Sequence, residues 1–230
     1  MPLPSPASRL LRATAAVALA MAALPALALK PFSAQYEAEY MGVSATASMT
    51  IEQQAGDRWK YTLKVANKIA QLTQSTVFDD REGLWRPLTG TDHSFLLVKK
   101  IRRNAVYDWA AGEARWSGDV KPERAGPVKL QAGDMDALLL NLAIARDVQA
   151  GKPLQYRMVD EGRAKDMTYT VAGREAITIG SETRQATKVV YRNGNKETIV
   201  WVVDGIPVPA RILQRKDGKN DIDLRMVAVR

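Results

Sequence analysis

The side chains that could perform nucleophilic or metal chemistry are few. His93 is the single histidine, and the chain has no cysteine. One imidazole cannot build a histidine-rich metal site, and zinc–thiolate sites need cysteine. A Ser–His–Asp triad would need partners supplied by the fold, and no Gly-x-Ser-x-Gly elbow is present to hold the serine. We therefore predict no catalytic residue, no metal ligand and no cofactor, with His93 in a turn or on the surface.

Carboxylates are the other candidates for acid–base chemistry. They cluster at Asp79-Asp80-Glu82, at Asp160-Glu161 and at Asp217, Asp221 and Asp223. A glycosidase needs two carboxylates facing across a cleft, and spacing along the chain cannot show that. The first and third clusters have the composition of turns between strands. A hydrolase of envelope polymers is therefore the least favoured of the functions considered.

The densest basic run is Lys99-Lys100-Ile101-Arg102-Arg103. In a strand these side chains alternate between two faces, and charged residues are typical of edge strands, where they prevent aggregation. The alternative is contact with phosphates of anionic phospholipid or lipopolysaccharide. No basic platform interleaved with aromatic residues is evident, so nucleic acid is not expected as a partner.

The first 28 residues have the pattern of a cleavable secretory signal. Arg9 and Arg12 precede an apolar run, 13–24, and Ala26-Leu27-Ala28 has the small-residue spacing of a cleavage site. The run is shorter than the about 20 residues that cross a bilayer. We predict cleavage after Ala28 and a soluble, non-lipidated protein in the periplasm, with a retained membrane anchor as the alternative.

The remaining residues, 29–230, are predicted to form one β-rich domain. Apolar and polar residues alternate through 32–40 and 43–52, with Gly42 between them at a tight turn. The same period of two recurs at 60–65 and 221–228. Such alternation indicates antiparallel strands with one dry and one wet face.

One helix is predicted, at about 134–150. Asp134 is the expected N-cap, and Gly151 with Pro153 should end the helix. The middle of the segment is apolar almost all the way round, so the helix must be surrounded. We predict one strongly curved antiparallel sheet, a half-barrel or open barrel, wrapped around it. The alternative is a helix that docks into a partner protein.

Five tryptophans are present, and each is expected to serve the core before any ligand. Trp201 lies in a run that is apolar on both faces, 199–203, which indicates a central strand. If the concave sheet admits a ligand, the candidate lining residues are Leu138 and Leu142 on the helix and Trp201 on this strand.

Several short motifs resemble an exported bacterial family catalogued as domain of unknown function 3108. The matching segments are Asp136-Ala137-Leu138-Leu139, 169–175, 186–189, 199–204 and 207–211. The resemblance implies an exported, β-rich domain without an established activity. The architecture also looks like that of periplasmic lipoprotein carriers, whose half-barrel holds acyl chains.

The expected function is a non-catalytic periplasmic binding or envelope-maintenance protein that holds an apolar or lipid-like ligand in the concave sheet. The alternative is an envelope assembly or scaffold factor that acts through protein–protein contacts. For the first function, the deciding observation is whether the space beside Leu138 and Leu142 is open or packed.

Overall fold

The computed structural model describes residues 29–40, 42–81, 83–96 and 99–230. The predicted signal segment 1–28 and its cleavage site after Ala28 lie outside these residues. The described chain is mainly β, with fifteen strands and one α-helix. None of the described helices is long and apolar enough to cross a bilayer.

The elements follow one another in a simple order, with the helix after the eighth strand. They are β1 (Phe32–Tyr40), β2 (Val43–Gln53), β3 (Arg58–Ala66), β4 (Ala70–Arg81), β5 (Leu84–Leu96), β6 (Lys99–Asp108), β7 (Glu113–Gly118), β8 (Val128–Lys129), α1 (Ala137–Gln149), β9 (Gln155–Asp160), β10 (Arg163–Thr168), β11 (Thr170–Ile179), β12 (Glu182–Asn193), β13 (Lys196–Val203), β14 (Arg211–Lys216) and β15 (Lys219–Val229).

Thirteen of the strands form one antiparallel sheet in the order β11-β12-β13-β14-β15-β1-β2-β3-β4-β5-β6-β7-β8. The strands β9 and β10 form a separate two-stranded sheet. The pairing of β15 with β1 joins the second half of the chain to the first. The large sheet is not closed, because β11 and β8 are its two edges. Its curvature into a half-barrel stays a prediction.

The first hairpin confirms the expected alternation. Strands β1 and β2 pair so that Ala38 faces Ala45 and Tyr36 faces Ala47. The turn contains Gly42 with a φ of 82°, in the left-handed region that side chains rarely adopt. The hydroxyl of the buried Tyr36 donates to the Pro209 carbonyl at 2.7 Å, which ties this hairpin to the later half of the sheet.

Helix α1 begins two residues later than the predicted N-cap would place it. Asp136 is the N-cap, and its carboxylate accepts from the Leu139 amide at 2.7 Å. The expectation that Asp134 caps the helix is wrong. Asp134 instead accepts from the Gln131 amide and from the Arg157 guanidinium, so it closes the preceding turn. Both aspartates fit the cap pattern of the sequence, and tertiary contacts choose between them.

The helix is the centre of the main core. Leu139, Leu142, Ala143, Ile144 and Ala145 are fully buried. The helix contacts β13, β9, β4 and β3, and five strands separate β13 from β4 in the sheet order. Burial of a leucine or isoleucine side chain contributes about 1.5 to 3 kcal/mol to stability. The position of the helix is therefore stabilised by its packing against these strands.

The basic run Lys99–Arg103 does not lie on an edge strand, and that prediction is wrong for β6 as a whole. Strand β6 pairs with β5 along Lys99–Val106 and with β7 from Arg103 onward. The Arg102 amide donates to the Asp119 carboxylate and its carbonyl accepts from the Asp119 amide, so within the described chain only the first three residues of β6 are paired on just one side. The charged side chains suit this half-open segment for the reason that they suit an edge.

Candidate functional site

A cavity of about 940 Å³ lies between the first turns of α1 and the sheet. Its walls are mostly apolar and come from strands β1 to β6, from β14 and β15, and from the helix. Because side chains at i and i+2 share one face of a strand, β3 contributes Leu63 with Val65, and β15 contributes Ile222 with Leu224. Ligand sites in proteins commonly have volumes of about 300 to 1,000 Å³, so the cavity has the size of a ligand site.

Small side chains keep part of this space open. Ala38 and Ala45 face one another across β1 and β2, and both line the cavity. Gly90 lines it deeper in, where an added Cβ would lie 3.4 Å from the Ala105 Cβ and 3.6 Å from an Asp136 carboxylate oxygen. Larger residues at these positions would take up volume that is now empty.

One end of the cavity opens between hairpin tips, and exposed apolar side chains surround this opening. Tyr40 is 56% exposed, Val43 51%, Ile69 53% and Phe95 39%, and all four line the cavity. Tyr40 ends β1, Val43 begins β2, Ile69 lies between β3 and β4, and Phe95 is near the end of β5, and these strand ends neighbour one another because the strands do. We call this group the mouth; Lys99 lies beside it.

The opposite end, the inner end, is polar. The Thr76 hydroxyl donates to Asp136 at 2.5 Å, and the Leu139 amide donates to the other oxygen of that carboxylate. Burial raises the pKa of Asp136. Burial, assisted by the nearby charge of Asp136, raises the pKa of Asp160 to about 7. This end of the cavity therefore disfavours further negative charge.

A half-buried arginine pairs with two further acids that line the cavity. The guanidinium of Arg103 lies 3.5 Å from Asp92 and 2.8 Å from Glu161, and all three residues line the cavity. The Oδ1 atom of Asp92 is buried, and no described residue hydrogen-bonds it. Asp136 is committed to the start of the helix, because its two carboxylate oxygens accept from the Thr76 hydroxyl and the Leu139 amide.

The structure separates the three candidate lining residues. Leu138 lines the cavity. Leu142, one turn further along the helix, is fully buried and packed into the core away from it. Trp201 does not line the cavity. Its indole N–H donates to Glu175, and the cationic groups of Lys188 and Arg211 lie over its ring. The space beside Leu138 is therefore open, and that beside Leu142 is packed.

The residues that were weighed for catalysis have other surroundings. His93 is exposed on β5, and no hydrogen bond within the described chain joins it to a serine or a carboxylate. The Arg86 side chain hydrogen-bonds Asp79 and lowers the pKa of that carboxyl. Asp223 is held by Arg211 and Arg225. Among the described residues, no group of three potential ligands could hold a metal ion.

Sequence reasoning missed the mouth. Tyr40, Ile69 and Phe95 are apolar residues directly beside chain reversals, where polar residues are usual. This pattern is visible in the sequence and could have pointed to the mouth. The sequence does not show that these residues lie around one opening, because that depends on the order of the strands in the sheet.

Comparison with known proteins identifies a family without an assigned function. No curated protein matches the chain. Solved structures that resemble it include the crystal structure of MucB, at 9% sequence identity and a TM-score of 0.39. That match covers 87% of this chain and 52% of the MucB chain, so this chain spans about half the length of its match.

The family described as protein of unknown function DUF3108 matches residues 35–225, which include every strand from β2 to β14 together with α1. The match thus contains both the cavity and the helix that bounds it. The chain belongs to the DUF3108 family.

Proposed function

We propose that this protein is a non-catalytic, exported binding protein that holds an apolar or lipid-like ligand between α1 and the sheet. The observation that carries the proposal is the cavity of about 940 Å³ with apolar walls and an open mouth. Contiguous exposed apolar surface often marks a ligand-binding groove or an interaction site.

The contacts of the helix support a sheet that bends around it, as the sequence predicted. A flat sheet separates neighbouring strands by about 4.8 Å, so β13 and β4 would lie far apart. The helix nevertheless contacts both strands. Bending of this kind would give the sheet a concave face, and the cavity would be the part of that face that α1 leaves unfilled.

Charge sets the orientation of the ligand in this proposal. The inner end already carries Asp136 and Asp160, whereas Lys99 lies at the mouth. An acyl chain would therefore enter with its apolar end first and keep an anionic group at the mouth. From Ala70 at the mouth to Thr76 at the inner end, β4 extends about 20 Å at 3.3 Å per residue, which accommodates a long alkyl chain. Apolar burial yields about 25 cal/mol per Å².

Binding of a fluorescent fatty acid tests the proposal. Ala45→Trp places a large ring in the cavity wall, and we expect it to weaken binding at least tenfold. Ala176→Trp on the exposed face of β11 is the matched control, because it adds the same ring to a strand outside the cavity. Native mass spectrometry of both proteins reports any lipid that copurifies. Equal affinities of the two variants, or no binding by the parent protein, would reject the proposal.

Export and cleavage after Ala28 form part of the same proposal and have their own test. Periplasmic fractionation followed by amino-terminal sequencing should give a protein that starts at Leu29. A full-length protein retained in the membrane fraction would support the membrane-anchor alternative.

The scaffold alternative is supported by a separate observation. Strand β11 is a ten-residue edge of the large sheet, and its Val171 is 63% exposed. An open edge can pair with a strand of another protein. Strand addition would be weakened by Val171→Pro, which leaves fatty-acid binding intact, whereas Ala45→Trp would have the reverse effects.

A further inference from the structure

The charges at the two ends of the sheet differ. At the end that contains the mouth, four connections between strands carry or adjoin six exposed lysines: Lys68, Lys99, Lys100, Lys196, Lys216 and Lys219. They lie in or beside the connections β3–β4, β5–β6, β12–β13 and β14–β15. Antiparallel pairing brings these connections to one end.

The connections at the opposite end carry acidic residues. Asp57, Asp80, Asp108 and Asp204 are exposed there, in or beside the connections β2–β3, β4–β5, β6–β7 and β13–β14. Arginines also occur at that end, and several of them pair with carboxylates. What distinguishes the mouth end is its group of six exposed lysines, interrupted by the exposed Asp217 of the β14–β15 connection.

The mouth end is also the end with exposed apolar tips. Tyr40, Val43, Ile69 and Phe95 project around the mouth, and Lys68 directly precedes Ile69. Apolar side chains surrounded by lysines fit the boundary between lipid headgroups and acyl chains. The lysines would contact anionic headgroups while the apolar tips enter the layer below them.

We propose that the mouth end docks on an anionic phospholipid bilayer, with the side chains of Tyr40, Val43, Ile69 and Phe95 inserted and the cavity opening onto the membrane. This inference deepens the proposed function by naming where the ligand is exchanged, but docking itself needs only the surface of the mouth end. Charge complementarity and the exposed apolar tips select a bilayer over a protein partner.

Vesicle flotation measures docking directly. The full chain without its predicted signal is mixed with vesicles of phosphatidylcholine alone or with one third phosphatidylglycerol. We expect binding to the anionic vesicles only, and weaker binding at high salt because exposed charges are screened. Each lysine near an anionic surface contributes about fivefold in affinity, so Lys68→Glu with Lys100→Glu should weaken binding at least 25-fold.

The matched control is Lys129→Glu with Lys152→Glu, which changes the net charge equally at exposed sites away from the mouth. This control should weaken binding much less than the variant at the mouth. Equal losses would show that net charge alone drives association and would overturn the proposal. Absence of vesicle binding, with self-association through the mouth instead, would overturn it as well.

Insertion has an independent readout, because the chain has no native cysteine. A polarity-sensitive dye on Ile69→Cys should shift to the blue on anionic vesicles, whereas the same dye on Val171→Cys at the β11 edge should not. Equal shifts at both sites would contradict the proposed orientation. Binding of an uncharged fluorescent fatty alcohol in solution by Lys68→Glu with Lys100→Glu should match the parent protein, so a failure of docking can be told from a failure of the cavity.

Discussion

At the inner end of the cavity, the environment of one carboxyl group makes folding depend on pH. Asp160 lies in a partly buried site with Asp136 nearby, and this burial raises its pKa to about 7. The unfolded chain loses that proton near pH 4, so between these values the folded state binds more protons than the unfolded state. Stability from this group is therefore full below about pH 4 and falls as the pH rises through 7.

Substitution of Asp160 by Asn should remove this dependence. We expect the variant to match the parent at pH 4 and to exceed its free energy of unfolding at pH 8 by at most about 4 kcal/mol, since one pKa unit corresponds to 1.36 kcal/mol. Urea denaturation at both values of pH measures the difference. A variant that is less stable than the parent at pH 8 would show that the charged form of Asp160 is stabilised in the fold.

Residue types alone predicted some of these roles and not others. His93 is exposed on β5, as expected, whereas Glu175 of the family motif pairs with Lys188 at 3.2 Å in the middle of β11. The N-cap was assigned to Asp134 because both Asp134 and Asp136 suit that position locally. The choice depends on Thr76 and Arg157, which are 60 and 23 residues away from their partners. Contacts between residues so far apart in the chain cannot be predicted from the local sequence around the helix start.

At the scale of elements, the helix has two kinds of neighbour. Its first turns border the cavity through Leu138, whereas Leu142 and Ile144 are enclosed by protein. The all-round apolar sequence of α1 predicted burial. It did not predict this asymmetry, because an apolar side chain suits a packed core and the wall of a ligand cavity equally well.

The asymmetry predicts unequal costs of truncation along the helix. Leu142→Ala should lower the free energy of unfolding by about 3 to 5 kcal/mol, since it leaves a void in packed surroundings. Leu138→Ala should cost about 2 kcal/mol, because one side of Leu138 already lacks neighbours. Chemical denaturation of both variants, purified free of lipid, gives the comparison. A larger cost at Leu138 would mean that the space beside it is packed in solution.

Strand elements were the most predictable part of the molecule. The alternation around Tyr36 and the turn at Gly42 follow from a period of two and one left-handed glycine. Strand neighbours were not predictable, since the pairing of β1 with β15 joins residues such as Tyr36 and Met226 that are remote in sequence. The mouth depends on those neighbours, and this is why it was missed.

In the whole molecule, the proposed function depends on how the sheet and the helix together leave a cavity open. The sheet supplies a long apolar face, the helix covers part of it, and small residues such as Ala38 and Ala45 leave the rest open. The opening coincides with the lysine-rich end of the sheet. In the proposed function, the apolar walls would hold an alkyl chain, and the acids at the inner end and Lys99 at the mouth would keep an anionic head group at the mouth.

The most direct measurement is the position of a bound chain, obtained by NMR with stearate that carries a nitroxide near its methyl end. The account predicts strong broadening of methyl signals from Leu63, Ala105 and Leu138, which line the cavity toward its inner end. Signals from Ile206, beside the C-terminal end of α1, should remain sharper, and excess unlabelled stearate should reverse the broadening. Broadening confined to residues outside the cavity, such as Val171, would contradict the account.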